Sequence, residues 1–380
     1  MKNISIILLL FIIHSFVCAQ PKEVKFTRDY ITRYDNKVNI EVHEVQELTY
    51  VMMAISEVGL RDSNMVNHNS SYYQEVIRHF KPFQKHPAVQ IIDSLLKESI
   101  IYYIFLSSNA YGFQFKGDQL LRTHVYSFPA RGVGAIDISE DPIAKYLKEI
   151  EDFAKVSNFR KFYKEQFPTY KQVIADYEKY GELDKQKEWL ESKFEYKINS
   201  YRVLTSPLIG GINATRTFTD NNFKEMLLYL PTIKQDTSWT EEYNVAMNSR
   251  VIFTEIDHNY VGPLSDQFKN RIDQVFDKRE IWVDANNKST QHYPNPIKVF
   301  DEYLTWGLFI LYIHDIFPNN DSLLNQVIEH VNDKMIIKGF PKSKEFNDVL
   351  LNIYKNNPQL TLKDIYPELL NWGKKLENNL

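Results

Sequence analysis

Cysteine is almost absent from this 380-residue sequence, since Cys18 is the only one. We expect the segment before residue 20 to be removed, which leaves a mature chain without any thiol. The mature protein would then have no disulfide bond, no thiolate zinc site and no cysteine nucleophile. Its fold must depend on its apolar core, and about 360 residues suffice for one large domain or two closely packed lobes.

An excess of positive charge is also lacking. The formal net charge is −4, and removal of Lys2 with the leader would make it −5. This balance argues against nucleic acid or anionic lipid as a main partner. No apolar run beyond the leader is long enough to span a membrane, and no nucleophile-elbow serine or glycine-rich phosphate loop follows a strand.

The N-terminus has the pattern of a secretory signal peptide. A basic residue, Lys2, precedes an apolar run at residues 4–13, and Val17 and Ala19 occupy the two small-residue positions before a cut at residue 19. A lipoprotein anchored at Cys18 is the less favoured alternative, because Val17 is larger than the residue that such a site requires. The sequence therefore predicts an exported protein, periplasmic or extracellular.

The hydrophobic spacing of the remaining chain predicts a mixture of strands and helices. Alternating apolar residues predict strands at residues 24–33, 37–43, 201–204, 215–218 and 224–229. Helical spacing predicts helices at residues 44–59, 72–83, 87–98, 142–167, 168–180, 184–194, 240–261, 266–279 and 296–317, the helix at 240–261 ending at Gly262-Pro263. We predict a predominantly helical α+β fold, with a strand and helical lobe at 20–200 and a second lobe at 201–380. The two could also form one compact domain.

The segment that indicates chemistry lies on the helix at 240–261. Thr254 and His258 are within about 40° of each other around the helix axis, and Glu255 is about 60° from His258. A zinc peptidase needs two imidazoles one turn apart and a glutamate beside them to deprotonate water. Here threonine, a poor zinc ligand, occupies the first histidine position. Glu302, on an otherwise apolar later helix, could add a carboxylate ligand, because a buried carboxylate is costly unless paired or bound to a cation.

Several short motifs together indicate a family. They are His86-Pro87-Ala88-Val89, Trp189-Leu190-Glu191, Ser206-Pro207-Leu208 with Gly210-Gly211 and Asn213, and the helix segment around His258 with its Gly262-Pro263. With these motifs the chain resembles the bacterial family of unknown function DUF4932, whose members resemble zincin-type (gluzincin) metallopeptidases, over most of residues 35–320. The resemblance implies a zincin-like lobe, a mixed sheet plus an active-site helix, packed on helical regions.

The same resemblance implies roles for individual residues. The first zinc histidine of the family maps onto Thr254, Glu255 onto the general base, and His258 and Glu302 onto metal ligands. The segment with Ser206, Gly210, Gly211 and Asn213 would be the edge strand beside the substrate backbone. The implied cofactor is zinc or another divalent metal, or none if the replacement at Thr254 has abolished binding.

Each candidate also has a structural alternative. His258 could be a hydrogen-bonded core histidine, and Glu255 a buried carboxylate paired with Arg250 or a lysine. Glu302 could sit in a first helical turn, where negative charge is favourable. Asp257 is predicted to project away from this face and to be solvated.

Three functions therefore remain open. The favoured one is a degenerate or atypical metallopeptidase-like protein that binds a peptide or protein in a zincin-like cleft. The second is an active metal-dependent peptidase with Glu255 as general base. The third is a non-catalytic structural or interaction protein of the cell envelope.

Overall fold

The computed structural model describes residues 23–134, 136–357 and 359–378. The expected leader, residues 1–19, lies outside these ranges. The described chain is a predominantly helical α+β protein with a small mixed sheet, which confirms the predicted class. None of the described helices combines the length and apolar character that crossing a membrane requires.

The helices and strands have the following bounds. The helices are α1 (Arg28–Tyr34), α2 (Glu44–Ile55), α3 (Ser71–Phe80), α4 (Pro87–Glu98), α5 (Tyr102–Ala110), α6 (Pro142–Lys145), α7 (Leu147–Val156), α8 (Phe159–Glu165), α9 (Phe167–Tyr180), α10 (Leu183–Lys193), α11 (Glu241–Gln267), α12 (Lys269–Val275), α13 (Arg279–Trp282), α14 (Pro296–Ile316), α15 (Asp321–Ile337), α16 (Ser343–Asn356) and α17 (Leu362–Asn378). The strands are β1 (Lys37–Glu41), β2 (Phe113–Lys116), β3 (Gln119–Arg122), β4 (Gly132–Val133), β5 (Ile136–Asp137), β6 (Ser200–Ser206), β7 (Ala214–Asp220) and β8 (Phe223–Pro231).

The main sheet has four strands in the order β1-β6-β8-β7. Strands β1, β6 and β8 run parallel, whereas β7 is antiparallel to β8 and forms one edge. Two small hairpins, β2–β3 and β4–β5, stand apart from this sheet. The antiparallel edge is therefore β7, beside the long helix α11.

The sheet separates two apolar clusters. Tyr201 and Met226 point into the large core that also contains α2, α11 and α14. Because side chains alternate along a strand, Leu204, Leu227 and Tyr229 point to the other face, into a smaller and aromatic cluster. The large core contains residues from both sides of position 200, and the division into two lobes stays a prediction.

The smaller cluster encloses a buried ion pair. Arg202 is 4% exposed and lies 3.6 Å from Glu225, which is fully buried. Arg202 also donates to Glu41 at 3.0 Å, and the Tyr30 and Tyr126 hydroxyls donate to Glu225. These bonds join α1, β1, β6 and β8, and they offset part of the cost of burying the charges.

Helix α11 does not end where the sequence predicted. It continues through Pro263 to Gln267. The residue before a proline normally resists helical geometry because its Cβ clashes with the proline ring, but Gly262 has no Cβ. Pro263 is exposed, while Leu264 and Ser265 are buried and anchor the last turn in the core.

Two other predicted elements also differ. The strand predicted at 24–33 is mostly α1, which begins after Thr27 because the Thr27 hydroxyl accepts from the Tyr30 amide. The helix predicted at 142–167 is three helices, since the chain is interrupted after α6 at Tyr146 and again at Asn158, which adopts a left-handed φ of 53°. Helix α5 and both hairpins were not predicted.

Candidate functional site

Helix α11 forms the floor of a cleft, and Glu255 reaches into it. A cavity of about 490 Å³ lies between the edge of β7 and the β4 hairpin strand, lined by Ala214, Arg216, Gly132 and Glu255 among others. A smaller cavity of about 280 Å³ continues along α11 beside residues 248–252. Asn213 lines both cavities, so the two are neighbours.

The structure brings His258 and Glu302 together. The Nε2 atom of His258 lies 3.9 Å from Oε2 of Glu302, and its Nδ1 atom lies 3.4 Å from the Thr305 hydroxyl. Glu302 is 2% exposed and lies beyond the first turn of α14, so the helix-start explanation for its charge does not apply. Helix α14 packs along α11, which places the two side chains across the same groove.

Lys338 forms an ion pair with Glu302. Its ammonium contacts Oε1 of Glu302, the oxygen that also accepts from the indole N–H of Trp306 at 2.8 Å. Lys338 is the C-cap residue that directly follows α15, and Gly339 comes next with a φ of 95°. A side chain at Gly339 would be strained and would lie 2.6 Å from a Thr290 carbon, so this glycine fixes where the lysine leaves the helix.

Thr254 is directed into its own helix. Its hydroxyl donates to the carbonyl oxygens of Arg250 at 3.1 Å and Val251 at 3.3 Å. Residues at this spacing commonly bond back to the helix in this way. The threonine therefore presents no ligand to the cleft.

These residues do not fit a zinc site. One imidazole and one carboxylate converge, the hydroxyl of Thr254 is turned away, and a lysine ammonium already contacts the carboxylate. A structural or catalytic zinc ion takes at least three protein ligands, and a neighbouring ammonium opposes a second cation. Among the described residues, no group of three or more His, Cys, Asp or Glu is arranged to hold a metal ion.

Glu255 has a strongly perturbed acidity. Burial, followed by the charge of Glu302, raises the pKa of Glu255 to about 7, while Lys338 and a hydrogen bond from Asn213 act in the opposite direction. Glu255 forms no ion pair with Arg250 in the described part of the chain. A carboxyl poised near neutral pH in a cavity wall can accept or donate a proton.

His258 is shifted toward its neutral form. Partial burial lowers its pKa, as do the charges of Lys338 and Lys298, whereas Glu302 acts to raise it. The side chain is 41% exposed, so solvent moderates these effects. The imidazole can therefore accept a hydrogen bond from a ligand at neutral pH.

The solvated position predicted for Asp257 is wrong. Asp257 is completely buried beside the Thr305 hydroxyl, and neither of its carboxylate oxygens makes a well-formed hydrogen bond with a described residue. Burial and the charges of Glu302 and Glu255 raise the pKa of Asp257 well above its usual range. The side chain faces α14 because it lies on the far side of α11 from Glu255, where the helix packs against its neighbour.

The segment predicted as the edge strand has a different place. Ser206 ends the interior strand β6, where its hydroxyl accepts from the Leu208 amide. Gly210 and Gly211 follow in a loop whose amides bond to residues 64 and 65, and a Cβ on Gly210 would lie 2.3 Å from the Asn64 carbonyl oxygen. Asn213 does reach the cleft, beside Glu255, and β7 begins directly after it.

Sequence reasoning missed Lys338, Trp306 and the environment of Arg250. Nothing in the spacing of Lys338, 36 residues after Glu302, distinguishes it from other surface lysines. The contact of Trp306 with Glu302 could have been predicted, since Trp306 follows Glu302 by one helical turn and a buried tryptophan N–H usually has a hydrogen-bond acceptor.

Comparisons of the chain with protein-family models, with curated proteins and with solved structures found no match. The resemblance to DUF4932 therefore stays a prediction, and the functional argument rests on the geometry of the cleft.

Proposed function

We propose that this chain is an exported, metallopeptidase-like protein that binds a peptide or an extended protein segment in the cleft between β7 and α11 without cutting it. The observation that carries the proposal is the Lys338–Glu302 ion pair. It supplies a fixed positive charge at the carboxylate that a catalytic metal would need.

The cleft suits an extended peptide. Strand β7 is an edge of the described sheet, and an edge presents backbone N–H and C=O groups that a further strand can pair with. The cavity of about 490 Å³ lies between this edge and β4, with Ala214, Thr215 and Arg216 on one side and Gly132 and Val133 on the other. An added strand would pass directly over Glu255.

One observation favours a second candidate, an active metal-dependent peptidase. The raised pKa of Glu255 in the cavity wall is the property of a general base, which a binding protein does not require. If the protein cleaved casein and a Glu255→Gln variant lost that cleavage, this second function would replace the first.

The binding proposal can be tested by filling the cavity. Ala214→Trp places a large ring in the cavity between β7 and β4, and we expect it to weaken binding of peptides selected from a random library by at least tenfold. Thr219→Trp is the matched control, because Thr219 is exposed near the far end of the same strand, away from the cavity lining. Binding would be measured by fluorescence polarisation, with circular dichroism to check the fold.

Two results would count against the proposal. Equal peptide affinity in Ala214→Trp, Thr219→Trp and the unmodified protein would mean that peptides bind elsewhere. Failure of the unmodified protein to bind any library member would favour a structural role in the envelope instead.

A further inference from the structure

Arg250 is a half-buried guanidinium without an anionic partner. Within the described ranges no carboxylate pairs with it, and its Nε atom is buried without a hydrogen-bond partner. Its contact is the ring of Trp306, whose centroid lies 4.9 Å from Cζ. A cation–π contact contributes about 0.5–2 kcal/mol but gives the buried Nε–H of Arg250 no acceptor. A buried donor without an acceptor is costly, so an anion bound at this guanidinium would be favourable.

Arg250 lines neither cavity, but it lies on α11 between Asn248 and Val251, which line the smaller one. Arg250, Thr254 and His258 follow one another at four-residue intervals, so they are neighbours along one side of α11. Eight residues of helix rise about 12 Å, which is the span of three to four residues of extended peptide. Trp306 lies between Arg250 and the ion pair, with the Lys338 ammonium 5.6 Å from its ring centroid.

The charges around Arg250 also favour an anion. Burial, followed by the charges of Arg250 and Lys334, lowers the pKa of His330 on α15. His330 and Lys334 therefore lie near Arg250. The acidic groups that face this region are Glu329 and Asp333, both on α15, and neither forms an ion pair with Arg250. Glu302, across Trp306, is already paired with Lys338.

We propose that Arg250 binds a carboxylate of the peptide held in the cleft, either the C-terminal carboxylate or the side chain of an acidic residue. The proposal rests on the proposed peptide-binding function and assigns part of its specificity. A guanidinium offers paired N–H donors that match the two oxygens of a carboxylate, and such charge-assisted pairs are stronger than neutral hydrogen bonds. An amide in place of the carboxylate would lose the charge and one acceptor.

The test uses a random hexapeptide library made in three forms. The first has a free C-terminal carboxylate, the second a C-terminal carboxamide, and the third a carboxamide with aspartate as the last residue. We expect the unmodified protein to bind free-acid peptides at least tenfold more tightly than their carboxamides, and Arg250→Gln to abolish this difference. Arg250→Lys should keep part of it, because the charge remains while the fork geometry is lost.

Arg33→Gln is the matched control, since Arg33 also lies over a tyrosine ring, 5.6 Å from Cζ to the centroid, but is exposed on α1. It should leave the tenfold difference unchanged. Tight binding of the aspartate-carboxamide form, lost in Arg250→Gln, would support the proposal with the side chain as the source of the carboxylate.

The failures are distinguishable. If all three forms bind equally, or if Arg250→Gln keeps the preference, the role of Arg250 is overturned while peptide binding stands. If no form binds, the proposed function fails and this inference fails with it.

Discussion

Replacing Lys338 with methionine would leave the Glu302 carboxylate buried without its cation. Glu302 is 2% exposed, and its remaining hydrogen bond comes from the Trp306 indole. Removing one member of a buried pair costs about 3–5 kcal/mol. Since the Lys338 side chain is 30% exposed, water can reach the gap. We therefore expect Lys338→Met to lower the free energy of unfolding at pH 7.5 by roughly 2–3 kcal/mol.

The loss should depend on pH. Without Lys338 the variant can remove the unpaired charge by protonating the buried carboxyl, and this costs less as the pH falls toward 4.3, where a glutamate in water protonates. Protonating a glutamate costs about 1.4 kcal/mol for each pH unit above 4.3, so at pH 7 the loss of unfolding free energy in the variant cannot exceed roughly 4 kcal/mol. The destabilisation should therefore shrink when unfolding by urea is followed at pH 4.5 instead of 7.5.

Two further variants make this prediction specific. Lys334→Met changes an exposed lysine one turn earlier that has no ion pair in the described structure, and it should alter stability by less than about 0.5 kcal/mol. Adding Glu302→Gln to Lys338→Met should recover most of the loss, because a neutral amide needs no cation. A Lys338→Met variant as stable as Lys334→Met at pH 7.5, or equally destabilised at both pH values, would refute this reasoning.

Three other variants are expected to change stability. Glu255→Gln should be more stable than the unmodified protein at pH 8 by roughly 1–3 kcal/mol, with the gap closing near pH 4.5 in urea unfolding. The reason is that the native protein loses stability as the pH rises from the pKa of an unfolded glutamate to the raised pKa of Glu255, about 7. A difference that does not change with pH would contradict this. Asp257→Leu should raise the melting temperature, since it removes a fully buried carboxyl without a well-formed hydrogen bond, and a lower value would show that the contact with Thr305 is stabilising. Arg202→Met should lower the free energy of unfolding by about 3–5 kcal/mol by leaving Glu225 unpaired, whereas a change below about 1 kcal/mol would show that the pair contributes little.

Local signals allowed much of the fold to be predicted. Helix α4 has the predicted bounds because Pro87 suits a first helical turn and the apolar positions keep a helical spacing to Glu98. Strands β1, β6, β7 and β8 lie where β-branched and aromatic residues alternate. The end of α11 was mispredicted because Gly262-Pro263 is normally a stop, and only the packing of Leu264 and Ser265 continues the helix.

Local spacing also allowed part of the site to be predicted. Helical spacing places Glu255 beside His258, and the cost of a carboxylate in an apolar helix singled out Glu302, which lies 3.9 Å from the histidine. The cation that pairs with Glu302 could not be found, because it comes from the end of another helix and nothing local marks it. The burial of Asp257 was missed because it depends on how α14 packs along α11.

The claim that Lys338 takes the place of a metal at Glu302 is tested most directly by the zinc content of the purified protein. The protein would be equilibrated with zinc at pH 7.5, passed through a desalting column and analysed by inductively coupled plasma mass spectrometry beside a His258→Ala variant. We predict far less than one zinc per chain in both proteins. One zinc per chain that disappears in His258→Ala would contradict the account and would favour a metal-dependent peptidase.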